Sequence, residues 1–357
     1  MRRQMAWPQL LFALLFTISC SPPSPAVKVI SVPDQGIAPD VEVGSDGVLH
    51  AVYVVGDDVY YATSSDGGVS FSQPLRVNSP PGTAFAGAFR GPDLALGQNG
   101  RVHVIWYTNG YQRKLPQDEW GVGYAFFDKE KKQFTPAVNL NHKPSDTYSM
   151  AADREGRIAV IWTADGAFIQ LSEDNGHTFS APEQIDQADP CECCATRAYF
   201  SPQGHLYLTY RDKTDNHRDM KLLVRRQGET VFTKQPLSQT TWPIEACPMT
   251  GSFLSDAGSH LLAAWEMKGA IYYGKTGYDG RLTEPGETRV SEVGRYPVVL
   301  PLPGEQTVVA WKEEKVFVWQ TYDAKGKPAG QQTRQESSSS HRPTGITLST
   351  GVALLFP

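Results

Sequence analysis

The 357 residues include 33 Lys and Arg against 38 Asp and Glu, a formal charge of −5 with no long basic run. That excludes a protein that grips nucleic acid through its phosphates. Hydrophobic residues make up 40% and charged residues 20%, enough to bury a core, so the chain is not a disordered tail. A single apolar run near the N-terminus approaches membrane length, which excludes a multi-span membrane protein. Aromatics at 11%, with 32 Gly and 26 Pro, predict many short strands and tight turns rather than long helices.

The first element is a targeting segment. Arg2 and Arg3 precede a short apolar stretch at residues 10–16, too short to span a bilayer comfortably. Thr17-Ile18-Ser19-Cys20 follows and resembles a bacterial lipoprotein cleavage box, with Thr17 where Leu is usual. The resemblance implies a signal peptide over residues 1–19, cleavage before Cys20 and lipidation of its thiol. Residues 20–26, rich in Ser and Pro, then form an extended tether between lipid and domain. The expected location is the bacterial cell envelope, and the outer membrane in a Gram-negative host because Ser21 follows the lipidated Cys.

From residue 27 onward a self-similar unit repeats. Each copy has a short apolar strand, a turn at Gly, and a second strand ending in Trp or Tyr. The first copy is Pro39-Asp40-Val41-Glu42-Val43, Gly47, and a strand ending at Tyr53; later turns fall at Gly100, Gly156, Gly204, Gly258 and Gly304. The later strands end at Trp106, Trp162, Tyr210, Trp265 and Trp311, markers spaced 46 to 56 residues apart. That period is one four-stranded blade of an all-β propeller. Six full repeats end near Arg334. Residues 343–356 read as one more strand pair with Gly351 at its turn, and residues 27–32 read as an unattached outer strand. Together they favour seven blades over six, closed by joining the two ends of the chain.

Two turns carry a sharper signature. Residues 64–71 (SSDGGVSF) and 172–179 (SEDNGHTF) both read S-x-D-x-G-x-[ST]-F. They resemble the Asp box, or BNR repeat, of sialidase-like propellers. The resemblance covers residues 27–357 and implies a structural role for the box, away from the active face. It also implies six blades, one fewer than the count of strand pairs.

A propeller sorts its loops by face. Links between blades share a face with the turns between second and third strands. Three unusual segments then belong to one face around blades 4 and 5: residues 189–197, 211–219 and 242–248. They hold Cys191, Cys193, Cys194 and Cys247, an even number once Cys20 is lipidated. An oxidising compartment favours two structural disulfides, although three cysteines within four residues force one pairing to be vicinal or very close. The alternatives are a thiolate site for Zn²⁺ or Cu and free redox thiols. His spacing offers no H-E-x-x-H site.

Arg90, Arg197, Arg211, Arg218 and Arg295 fall at inner-strand starts or loops of the same face, where guanidinium groups grip a carboxylate or phosphate bidentately. Each has the simpler expectation of an ion pair with a neighbouring acid, such as Asp212 or Asp219. Trp242 can stack on a sugar ring. Phe89-Arg90-Gly91-Pro92 is similar to the F-R-I-P motif of sialidases, with Gly91 in place of Ile and an Asp box before rather than after it. A sialidase-type mechanism also needs an acid/base carboxylate and a Tyr activated by Glu. By predicted loop placement, Asp93 or Asp212 would be the acid, Tyr296 with Glu245 the nucleophilic pair, and Arg295 one of the arginines on the substrate carboxylate.

The leading expectation is a lipid-anchored, sialidase-like propeller that binds an anionic glycan or an envelope protein through the Cys- and Arg-rich face. The alternatives are an exo-sialidase or related glycoside hydrolase, and an envelope thiolate-metal or redox protein.

Overall fold

The computed structural model describes residues 27–357 apart from Asn109, Gln112 and Asp186. The expected signal peptide, Cys20 and the expected tether lie outside the described residues. Seven sheets are arranged as a seven-bladed β-propeller, and no α-helix occurs among the described residues.

Six sheets run in sequence order from inner to outer strand. Their inner strands are Ile37–Val43, Asp93–Leu96, Thr147–Ala152, Arg197–Phe200, Ser252–Asp256 and Arg295–Leu302. The seventh departs from the four-strand expectation. It pairs Thr344–Thr347 with Ala353–Phe356, and Val27–Val29 lies parallel against the latter, giving three strands. Entering from the N-terminal end, Val27–Val29 is the third strand of this sheet rather than a detached outer one. It ties the two ends of the chain into a closed ring and covers an exposed strand edge.

The repeat signature has a physical cause at both its positions. All seven turn glycines, Gly47 through Gly351, have φ between 63° and 93°, a region that a side chain disfavours. The aromatic markers are the wedges between sheets: Tyr53, Trp106, Trp162, Tyr210, Trp265, Trp311 and, in the seventh blade, Phe356 are all at most 1% exposed. Each burial contributes roughly 1.5–3 kcal/mol. The apolar core is divided accordingly, one cluster filling each gap between neighbouring sheets and one spanning blades 5 to 7.

Polar side chains stitch neighbouring inner strands across the ring. Asp40 Oδ2 accepts from the Leu94 amide at 2.9 Å, Asp93 Oδ2 from Met150 at 3.2 Å, and Ser149 Oγ from Ala198 at 3.0 Å. On the far side, Ser255 Oγ donates to the Val299 carbonyl and Thr347 Oγ1 to that of Pro301, both at 2.8 Å.

The two S-x-D-x-G-x-[ST]-F turns are superposable hydrogen-bond circuits. Ser64 Oγ donates to Asp66 and accepts from the Gly68 amide, while Asp66 accepts the Ser70 amide at 3.0 Å and hydroxyl at 2.5 Å. Ser172, Asp174, Gly176 and Thr178 repeat this, with the last pair at 2.9 and 2.6 Å. Hydrogen bonds from Thr178 hold the Asp174 carboxyl down at about 2. Strand order puts these turns on the face opposite the inter-blade links, so the carboxylates are structural.

Candidate functional site

At the mouth of the central channel, on the link face, carboxylates from blades 1 and 2 meet guanidinium groups from blade 4 and from the link into blade 7. Arg197 Nη1 lies 3.2 Å from Asp40 and 3.9 Å from Asp93, and Arg342 Nη2 lies 2.8 Å from Asp93. Asp40 and Asp93 are 1% and 3% exposed, the two arginines 14% and 18%. Thr344 Oγ1 adds a bond to Asp40 at 3.4 Å. Burial pushes the Asp40 carboxyl upward against the pull of Arg197. Burial, then repulsion from Asp40, raises Glu42 on the same strand to about 7.

Above this network is a depression of about 400 Å³, open solvent at its mouth included, walled by Phe89, Thr196, Arg197, Phe253, Tyr296 and Arg342. A smaller lobe continues past Arg90, Thr147 and Tyr148, sharing Phe89, Thr196 and Arg342 with the first. Arg90 lies over the Phe89 ring and pairs with Asp146 at 3.2 Å. Three donors on this wall, Arg90 Nε, Arg342 Nε and Thr196 Oγ1, are buried without a hydrogen-bond partner. Buried polar atoms ordinarily find one. Tyr296 sits at φ +53° where the register of its strand slips, a conformation that costs a bulky residue energy and turns its side chain toward the depression.

Beside this wall, residues 189–197, 211–219 and 242–248 are laced together. Cys191 N donates to the Arg211 carbonyl at 2.7 Å, Arg218 N to that of Trp242 at 2.8 Å, and Ile244 N to that of Asn216 at 3.0 Å. Of the two disulfides expected, one is present, Cys193–Cys247, while Cys191 and Cys194 are free and buried. The Cys194 amide donates to the Cys191 carbonyl at 2.9 Å, and the two sulfurs stand in contact at 3.6 Å without a bond between them. The contact between the two sulfurs lowers the Cys194 thiol and raises that of Cys191. Ala195 and Thr196, which follow Cys194 directly, belong to the depression, so the two features share a strand.

The expected site residues therefore divide into two groups. Arg90, Arg197, Asp93 and Tyr296 surround the channel mouth. Arg211 and Arg218 belong to the cysteine loops instead. Arg211 is 1% exposed and donates to the carbonyls of Arg218 and Glu266, not to Asp212. Its guanidinium lies over the Trp242 ring, so Trp242 packs on protein rather than facing the depression. Asp212 is buried in the loop against Thr214, and burial raises its carboxyl. Arg295 donates to the carbonyls of Pro248 and Met249 and faces Glu266 at 3.7 Å. Glu245 is exposed on its link; the carboxylate that acts on Tyr296 is Glu266.

Arg342, Thr196, Glu42 and Glu266 were not given a site role from the sequence, and Phe89 entered only as part of the F-R-I-P-like motif. For Arg342 a signal exists: Arg342-Pro343 opens the seventh blade much as Arg295-Tyr296-Pro297 opens the sixth.

No protein-family model matches the chain, and no curated protein matches it in sequence. Solved structures share its fold at low identity. A protein of unknown function from Dyadobacter fermentans aligns with a TM-score of 0.54 at 14% identity, over 88% of this chain and 98% of its own. A PL25 ulvan lyase, solved bound to -[GlcA(1-4)Rha3S]-, gives 0.53 at 13% identity over 90% and 87%. A leech intramolecular trans-sialidase gives 0.50 at 10% identity over 84% and 67%. The likeness is one of fold, to propellers that include glycan-active proteins.

Proposed function

We propose that this propeller binds an acidic saccharide at the mouth of its channel, held at the bacterial envelope by a lipid on Cys20. The observation that carries the reading is the convergence of Arg90, Arg342 and Thr196 on the wall of one depression. A carboxylate or sulfate brings acceptor oxygens and negative charge to two guanidinium groups, while Phe89 and Tyr296 offer apolar faces to a ring. Solved propellers of the same fold that act on glycans support the class of ligand.

Calorimetric titration with sialyl and uronic-acid oligosaccharides tests this. Arg90→Gln should weaken binding about 10- to 100-fold, the worth of one charge-assisted contact. It should leave stability nearly unchanged, because Arg90 pairs with a half-exposed Asp146. Absence of binding to every acidic saccharide, or binding indifferent to Arg90→Gln and Thr196→Val, would overturn the reading. A second reading, glycoside hydrolysis, draws on Tyr296 at the wall with Glu266 and Arg295 beside it. Against it, burial raises the Tyr296 phenol, which makes it a poor nucleophile at neutral pH. Turnover in the same titrations, lost in Tyr296→Phe, would decide for hydrolysis.

The anchor is tested separately. Cells expressing the chain should incorporate labelled palmitate into it, and Cys20→Ala should abolish the label and release the protein from membranes. An unlabelled wild-type chain ends the lipoprotein reading without touching the saccharide one.

A further inference from the structure

Four sulfurs gather between the links into blades 4 and 5. Cys191 Sγ is 3.7 Å from Cys247 Sγ and 3.6 Å from Cys194 Sγ, and Cys194 is 4.0 Å from Cys247. Cys193 is bonded to Cys247, and the sulfurs of Cys191, Cys193 and Cys247 all lie within 4.8 Å of one another. Thiolates about 2.3 Å from a tetrahedral centre stand roughly 3.8 Å apart. The Cys191–Cys194–Cys247 triangle already has the dimensions of one face of such a site.

We propose that, once the Cys193–Cys247 bond is reduced, Cys191, Cys193, Cys194 and Cys247 form one tetrathiolate site for a soft d¹⁰ cation, Zn²⁺ or Cu(I). Reduction consumes two electrons and two protons from a dithiol, which is itself oxidised to a disulfide, and leaves two thiols. Binding the cation then releases to solvent whatever protons the four sulfurs still hold.

A second observation points the same way. Arg211 is 1% exposed, and its Nε, like that of Arg218, is buried without a partner. Arg211 lies beside Cys194 and Arg218 beside Cys191. A carboxylate near Arg211, Glu266, is already shared with Arg295. Four thiolates around Zn²⁺ carry two negative charges, which compensate the buried Arg211 and the half-buried Arg218 beside them. The loops are pinned independently of the sulfur: Thr163 Oγ1 donates to the Glu192 carbonyl at 2.8 Å, and the Glu192 carboxylate accepts from the Gly166 amide at 3.0 Å. Ligands on so fixed a frame need little rearrangement to close around an ion.

The test uses the full chain carrying Cys20→Ser, which leaves these four cysteines. Reduced anaerobically, it should take up one Co²⁺ with the intense visible bands of a tetrahedral thiolate complex. One equivalent of Zn²⁺ should displace it, and in a separate arm one equivalent of Cu(I) should bind to metal-free protein. Either ion should shield all four thiols from alkylation. Cys191→Ser and Cys194→Ser, which leave the disulfide pair untouched, should each weaken Zn²⁺ binding more than about 100-fold, beyond the loss of an outer-shell partner. Reduced protein whose four thiols alkylate equally fast with and without these ions overturns the proposal. So does Co²⁺ uptake that both variants leave unchanged. The alkylation experiment needs no variant and stands even if one fails to fold.

Discussion

Arg197→Met is expected to lower the stability of the propeller by about 3–5 kcal/mol at pH 7, the cost of leaving a buried charge without its partner. Arg197 comes from blade 4 and reaches Asp40 of blade 1, so the change unbalances a contact across the whole ring. Volume is nearly conserved, and the lost packing against the Phe253 ring is small by comparison. Asp40 keeps its bond from the Leu94 amide but loses its strongest cation. Its pKa, already raised by burial, must rise further, so the loss shrinks as pH falls and protonation neutralises the stranded carboxylate. Urea unfolding at pH 7 and pH 4.5 measures both effects. Adding Asp40→Asn to Arg197→Met should restore part of the stability, because a neutral amide replaces the stranded carboxylate. A loss below about 1 kcal/mol at pH 7 would mean that water already screens the pair.

The fold was legible because its determinants recur. A glycine that needs positive φ and an aromatic that wedges between sheets leave a mark once per blade, and both marks survive in the partial last repeat at Gly351 and Phe356. The seventh blade was harder, since its third strand enters parallel from the other end of the chain and follows no repeat. The site was only partly legible for a related reason. Topology predicts which loops share a face, and the cysteine-bearing links do meet. It does not predict which way a long side chain turns. Arg197 and Arg211 sit at the same end of adjacent antiparallel strands, yet one reaches Asp40 across the channel and the other lies under Trp242. The neighbouring acids in sequence, Asp212 and Asp219, were poor guides to partners; Asp219 accepts the Trp242 amide instead. Recurrence did hold a clue. Pro39-Asp40 and Pro92-Asp93 open two successive blades, and their carboxylates occupy equivalent places in the network.

Glu42 should give the protein a stability that falls as pH rises through neutrality. Folding lifts its pKa from 4.5 to about 7. Below about 4.5 the group is protonated in both states and costs nothing. Between the two values the unfolded chain releases the proton while the folded protein keeps it, so the native state binds more protons and loses stability with each step upward in pH. Above 7 both states are ionised and the full penalty stands, roughly 3 kcal/mol for a shift of this size. Glu42→Gln should therefore match wild type at pH 4.5 and exceed it by about that amount at pH 8 in urea unfolding. Equal stabilities at pH 8 would show that channel water solvates the carboxylate. The same titration bears on the ligand. With Glu42 neutral, Asp40 and Asp93 balance Arg197 and Arg342; with Glu42 ionised, the network carries one excess negative charge beneath the depression. An acidic saccharide bound there must feel that charge, so its affinity should rise as pH falls through 7, and Glu42→Gln should remove the dependence while leaving the low-pH affinity in place.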